Sequence, residues 1–286
     1  MSRPEPAAGR PPASELLDLA CEVAVAAGRL LLGSGGRPEV VATKSSPTDV
    51  VTEADQAAEA LIRDMIGDKR PGDRILGEEG GETGSGSAVR WIVDPLDGTV
   101  NYLYGLADWA VSVAAEADGS VVAGAVFVPR RDGLFSAALG GGAWLSSGAL
   151  DPRGEDTPTP TRLACNTGVP LGQALVATGF GYESGRRLVQ AEVLRTVLPR
   201  VRDIRRGGSA AVDLCSVAEG TVDAYYERGV NLWDIAAGAL IAAEAGASVV
   251  GMHGKPPGPS MTMAAATGLL GELHDLLAEA DPERDG

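Results

Sequence analysis

A chain of 286 residues, 44% hydrophobic and 22% charged, is long enough to bury a sizeable core as one large domain or two lobes. Lysine and arginine total 24 against 39 aspartates and glutamates, a net charge of −15, which argues against nucleic-acid backbones and anionic membranes as partners. It does not argue against a small phosphorylated substrate met through metal cations.

Cys21, Cys165 and Cys215 lack CxxC spacing and are odd in number, so they read as reduced, mostly buried thiols of a cytoplasmic protein. His253 and His274 are too few for a His-rich zinc site. Residues 1–13, rich in Pro and Ala and without an apolar core, read as a disordered lead-in and not a signal peptide. The next segment carries Asp18, Glu22 and Arg29, so it is not a membrane span, and no other stretch qualifies.

In chain order, Ser14 is placed to cap a helix whose apolar positions run from Leu16 to Leu31 and end at Gly33. Thr52-Glu53-Ala54-Asp55 has the form of a capping box before a second amphipathic helix reaching about Gly67. A short strand over 74–77 leads into Glu78-Glu79-Gly80; residues 81–88 form a Gly/Ser-rich loop, and 89–93 a strand with an apolar end. From Trp109 the pattern is β: a hairpin over 110–128 turning at Asp118-Gly119, then strands over 134–139 and 143–145. Residues 147–162 are turn-rich and mark the best lobe boundary, which gives lobes over 14–146 and 147–280. Beyond it come strands over 174–178, 203–206, 221–227 and 248–252, and helices over 185–198, 207–219 and 234–245. Antiparallel pairs with separate helices predict a layered α/β or α+β architecture.

The chemistry gathers at WIVDPLDGTVN, residues 91–101, where Asp94 and Asp97 follow a buried-looking apolar run. Carboxylates with the backbone carbonyl of Leu96 between them are hard oxygen donors suited to Mg²⁺. Gly98 and Thr99 offer N–H groups at a helix start, where an anion is welcome. A type I turn with Asp97-Gly98 at its corner is the bland alternative. Asp234, after Trp233, opens a helix of small residues, so N-capping is an equally open reading there.

Five segments together resemble the inositol monophosphatase family of metal-dependent, lithium-sensitive-type phosphatases, with features of its bacterial members. WIVDPLDGTVN resembles its first signature and NLWDIAAGALIAAEAG (231–246) its second; KSSPTDVVTEAD (44–55), GEEG (77–80) and GGSAAVDLCSVAEGTVDAYYERG (207–229) resemble the segments that precede them, in family order. The resemblance implies an αβαβα sandwich with a larger N-terminal antiparallel sheet and a smaller C-terminal sheet. It also implies two or three Mg²⁺ ions: Glu78, Asp94 and the Leu96 carbonyl on the first, Asp94, Asp97 and Asp234 on the second, and a third, weaker ion near Glu78. Glu78 and Thr99 are placed by it to activate a water, with Asp97 in the same machinery. Gly98 and Thr99 hold the phosphate. Gly208, Ser209, Ala210, Glu227 and Asp234 meet the substrate, although Glu227 also reads as a solvated strand end. Lys44, Asp49, Thr52 and Asp55 support the metal shell, Asp55 having its capping-box reading as well. Family members are often homodimers, and the same is expected here.

Two departures bear on substrate. Ser146-Ser147-Gly148 stands where the family has a short Asn-Gly turn, and ATGFGYESGRR (177–187) brings Arg186 and Arg187 toward substrate or a partner subunit. Histidinol-phosphate, 3′-phosphoadenosine-5′-phosphate and fructose-1,6-bisphosphate phosphatases are rivals of the same fold; Asn101-Tyr102 favours the inositol-phosphate branch. A non-catalytic metal-binding regulatory protein is the rival of another class.

Overall fold

The structure is a computed structural model and describes residues 11–34, 40–43, 50–151 and 159–284. In chain order the elements are α1 (Ala13–Gly33), β1 (Val40–Thr43), β2 (Val50–Thr52), α2 (Glu53–Lys69), β3 (Arg74–Gly77), β4 (Gly81–Thr83), β5 (Val89–Asp97), α3 (Thr99–Tyr104), β6 (Ala110–Ala117), β7 (Ser120–Val128), β8 (Gly133–Ala138), β9 (Gly142–Ser147) and β10 (Thr161–Arg162). They continue with β11 (Leu175–Thr178), α4 (Ser184–Val197), β12 (Asp203–Arg205), α5 (Ala210–Glu219), β13 (Ala224–Glu227), α6 (Leu232–Glu244), β14 (Ser248–Val250), β15 (Thr262–Ala265) and α7 (Thr267–Glu279).

Strands β10-β9-β8-β7-β6-β5-β3-β4 form an eight-stranded sheet, antiparallel but for the β3–β5 pair. Strands β12-β11-β13-β15-β14 form a five-stranded one, parallel at β11 and antiparallel around β15. Side-chain alternation along the strands, with its period of two, sorts the layers. On β5, Trp91 and Val93 face α1 and α2, whereas Ile92 faces α5 and α6. On β13, Tyr225 packs toward α5 and α6, and Ala224 and Tyr226 pack toward α4 and α7. The result is five layers: α1/α2, large sheet, α5/α6, small sheet, α4/α7. The αβαβα architecture implied by the resemblance is the one found.

The small residues of α6 have a packing reason. A Cβ at Gly124 of β7 would lie 3.0 Å from the Cα of Ala237, and one at Gly238 would lie 2.9 Å from Leu214 of α5. This close passage lets α6 lie between the two sheets and deliver its first turn to the C-terminal end of β5. The Asp118-Gly119 hairpin forms as expected, with both residues at positive φ (53° and 75°) as a two-residue turn requires.

Several sequence expectations are corrected. The first helix begins at Ala13 with Pro12 before it and no side-chain cap, so Ser14 is not the capping residue. The loop expected over 81–88 begins with a strand, β4, paired to β3. Helix α6, expected from about Asp234, starts at Leu232, so Asp234 lies within its first turn. Strand β15 and helix α7 were not anticipated. Among the described residues no helix is long and apolar enough to cross a membrane, and all three cysteines are free thiols.

Candidate active site

Strand β5 does not stop before its aspartates. It runs through Asp97, with Asp94 opposite Ser112 and Asp97 opposite Ala110 on β6, so three steps along β5 match two along β6. In a regular strand residues three apart point to opposite faces. The extra residue of this bulge, where Pro95 is tolerated, turns both carboxylates toward one cavity. That replaces the turn reading of DPLDG. Gly98 follows at φ 89°, and a Cβ there would lie 3.0 Å from the Asp108 carbonyl oxygen, so the sharp exit into α3 requires glycine.

Glu78, Asp94, Leu96, Asp97, Gly98, Thr99, Gly208, Ala210, Glu227 and Asp234 all line a cavity of about 400 Å³ between the C-terminal end of β5, the first turn of α6 and the loops after β11, β12 and β13. Sequence reasoning had named each of them. Leu96 buries its side chain in the core, so it meets the cavity through its backbone. Asp94 is 1% exposed, and its Oδ1 accepts the Leu96 N–H at 2.9 Å. Ser112 donates to the Trp233 carbonyl at 3.2 Å, tying the start of α6 to the strand position opposite Asp94. Asp234 accepts the Asn231 N–H at 2.6 Å, so it is the third-residue partner of a capping box in which Asn231, not Asp234, is the capping residue.

Ser209 is placed differently from expectation. Its buried hydroxyl donates to Asp97 Oδ2 at 2.6 Å and accepts from the Val212 N–H at 3.2 Å, capping α5; it does not line the cavity. The Ala211 N–H reaches the same carboxylate oxygen at 2.7 Å. Asp97 is thereby fixed at the cavity wall by donors from the start of α5. Asp55 makes the capping box and also reaches the cavity-lining Thr99. One carboxylate oxygen takes the Thr52 N–H in a capping box, and the other lies 3.2 Å from the Thr99 hydroxyl, which is also 3.1 Å from the Leu96 carbonyl. Asn101 bridges the Asp108 and Gly207 carbonyls, and Tyr102 donates to the Leu31 carbonyl at 2.8 Å. Neither faces the cavity, so Asn101-Tyr102 distinguishes no substrate by contact. Arg186 lines the cavity and exposed Arg187 does not; Phe180, Arg206, Arg228 and Trp233 also line it and had not been singled out. Lys44 and Asp49 lie outside the described residues.

The electrostatics follow from crowding acids in a dry place. Burial, then the charges of Glu78, Asp97 and Asp234, push the Asp94 carboxyl well above its usual range. Burial, then Asp97 and Glu78, do the same to Asp234. Burial raises Asp97 to about 6 against the opposing bonds from Ser209 and Ala211. Desolvation raises half-buried Glu227 to about 7 against the opposing bond from the Tyr225 hydroxyl at 3.0 Å. Asp213 rises to about 8 through burial and the Glu227 charge, and its Oδ2 has no hydrogen-bond partner among the described residues.

Such a cluster is costly unless a cation offsets it, and carboxylates plus a backbone carbonyl are the donor chemistry of Mg²⁺. Among the described residues no three such side chains stand close enough to form a ready-made ion cage, so the fit rests on donor chemistry and mutual repulsion.

Comparison with known proteins agrees with this geometry. The model of the inositol monophosphatase family matches residues 13–284. The inositol-1-monophosphatase SuhB of Mycobacterium tuberculosis is 48% identical over 246 residues, covering 84% of this chain and 82% of that protein. Its solved structure superposes with a TM-score of 0.78 at 42% identity, over 96% of this chain and 100% of that one. The inositol monophosphatase of Anabaena superposes at 0.79 with 31% identity, over 94% and 97%. A protein named Nus factor SuhB in Escherichia coli is 36% identical over 237 residues, 82% of this chain and 84% of that protein.

Proposed function

The chain belongs to the inositol monophosphatase family, and we propose that it is a Mg²⁺-dependent phosphomonoesterase that hydrolyses inositol monophosphate to inositol and phosphate, acting as a cytoplasmic homodimer. The observation that carries this reading is the convergence of Glu78, Asp94, Asp97 and Asp234 on one cavity beside the start of α3. Glu78, Asp94 and the Leu96 carbonyl would hold one ion, and Asp94, Asp97 and Asp234 a second, with a third near Glu78. Bound Mg²⁺ supplies Lewis-acid stabilisation of the phosphoryl charge and acidifies the attacking water.

The chain's own groups do the rest. The single proton of the Thr99 hydroxyl is taken by Asp55 or the Leu96 carbonyl, which leaves the oxygen free to accept a hydrogen bond from the attacking water. Glu78 orients that water and takes its proton. The N–H groups of Gly98 and Thr99 receive the phosphate oxygens. Gly208, Ala210 and Glu227 border the space for the alcohol, where a carboxylate suits a polyol's hydroxyls. The water attacks phosphorus directly as the ester P–O bond breaks, and the departing inositol oxygen takes up a proton from solvent, so no phosphoenzyme forms.

A regulatory role without catalysis is the rival, and the Escherichia coli relative carries the name of a factor, not of an enzyme. The complete set of Glu78, Asp94, Asp97, Thr99 and Asp234 in one cavity favours the hydrolase. Phosphate release from inositol 1-phosphate, histidinol phosphate, fructose 1,6-bisphosphate and 3′-phosphoadenosine-5′-phosphate tests the substrate. Preference for inositol 1-phosphate supports the reading, and preference for another ester transfers the activity to that branch.

A further inference from the structure

Glu59 lies in the middle of α2, 3% exposed, and from sequence it is one more acidic residue on an amphipathic helix. Its carboxylate is fully engaged. Oε2 accepts the Glu79 N–H and Oε1 the Gly80 N–H, both at 2.8 Å, and Oε1 also takes the Arg63 guanidinium at 2.8 Å. Arg63 then reaches the Thr83 hydroxyl and the Gly81 carbonyl, each at 2.7 Å. The two side chains grip the whole turn between β3 and β4.

The glycines of GEEG belong to the same device. A Cβ at Gly77 would lie 2.6 Å from the Glu59 carboxylate, and one at Gly80 would lie 2.7 Å from it. Any side chain at either position would push the turn off its anchor. The residue between these contacts is Glu78, which lines the active-site cavity from this turn.

We propose that Glu59 is a positioning residue for Glu78: with Arg63 it holds the β3–β4 turn in the one conformation that presents the Glu78 carboxylate to Asp94 and Asp234. The assignment rests on the reading of Glu78 as a metal ligand. Because Glu59 is neutralised by Arg63 and by two N–H donors, it offers no competing charge to an ion; it acts only by fixing backbone. Replacing it with glutamine keeps size and one acceptor oxygen but turns an NH₂ group toward a donor, which releases the turn.

The test is Mg²⁺ binding by titration calorimetry at low temperature, with wild-type protein, Glu59→Gln and Arg63→Met, all confirmed as folded by circular dichroism. Arg63→Met keeps the proposal testable if Glu59→Gln does not fold. Glu22→Gln, in an exposed pair with Lys69, serves as the surface control. Glu59→Gln is expected to weaken Mg²⁺ binding roughly ten-fold, the scale seen when groups behind metal ligands are lost, with a smaller loss for Arg63→Met and none for Glu22→Gln. Hydrogen exchange at the Glu79 and Gly80 amides should accelerate in parallel. Folded variants that melt earlier but bind Mg²⁺ as tightly as wild type would overturn the assignment and leave Glu59 a purely structural residue. A wild-type chain that takes up no Mg²⁺ would overturn the metal reading itself, and the assignment with it.

Discussion

Ser112 stands directly opposite Asp94 across the β5–β6 ladder and donates its hydroxyl to the Trp233 carbonyl at 3.2 Å. One small residue therefore joins the two halves of the acidic cluster, since Trp233 precedes Asp234. Ser112→Ala removes this tie from a fully buried position. The expected cost is about 1 kcal/mol of stability together with a several-fold rise in the Mg²⁺ concentration needed for half-maximal activity. Thermal melts and Mg²⁺ titrations of phosphate release read the two effects. Loss of stability with unchanged Mg²⁺ demand would mean that the α6 start is held elsewhere.

Asp97 depends on Ser209 in a similar way. Ser209→Ala deletes both the 2.6 Å bond to Asp97 and the cap of α5. Loss of the cap alone costs about 1 kcal/mol; loss of the carboxylate's anchor lowers kcat as well. Ser209→Thr, which keeps the hydroxyl, should recover most of the activity. If Ser209 contacted substrate directly, the alanine variant would raise KM and leave kcat alone.

Thr99 is predicted to act through its hydroxyl and not through its shape. Thr99→Val keeps the volume and loses the bonds to Asp55 and the Leu96 carbonyl, so kcat should fall by roughly a hundred-fold, the lower range for a lost proton-transfer partner. Thr99→Ser should stay within a few-fold of wild type. Equal activity of the valine variant would take the hydroxyl out of the reaction.

The pH dependence of stability has a definite sign at Asp213. Its carboxyl titrates near 8 in the fold instead of at its ordinary 3.8. The unfolded chain therefore loses this proton first as pH rises. Below pH 4 both states hold it and nothing is lost; from about 4 to 8 stability declines as pH rises; above 8 the loss is complete. Asp213→Asn mimics the protonated group, so it should match wild type near pH 4 and become the more stable protein toward pH 8. Melts in chelator across that range check it, and parallel curves for the two proteins would contradict it.

Much of the site was legible because its residues sit in short contiguous motifs. Asp94, Asp97, Gly98 and Thr99 fall within six residues, and Glu78 and Asp234 each follow a recognisable signal. What stayed hidden was carried by contacts distant in sequence. Ser209 looked like a substrate contact because its bond to Asp97 spans 112 positions. Glu59 was not singled out, because its partners lie in a turn 20 residues on. Asn101 looked like a mark of substrate branch, yet its amide ties the Asp108 loop to Gly207. The five layers were implied by the family resemblance, but β5 seemed to end at Val93 because proline and two aspartates read as a turn, and only the pairing with β6 shows a bulge. Strand β15 is a four-residue run, Thr262–Ala265, buried on both faces, and such runs give no alternation to read.

The most direct test of the central claim is phosphate release from inositol 1-phosphate by wild-type protein and by Asp94→Asn, each with Mg²⁺ and with chelator. Asp94 is shared by both proposed ion sites, so the account predicts Mg²⁺-dependent turnover by wild type, abolished by chelator, and almost none by a variant whose circular dichroism is unchanged. Turnover that survives chelation, or an Asp94→Asn variant of full activity, would contradict it.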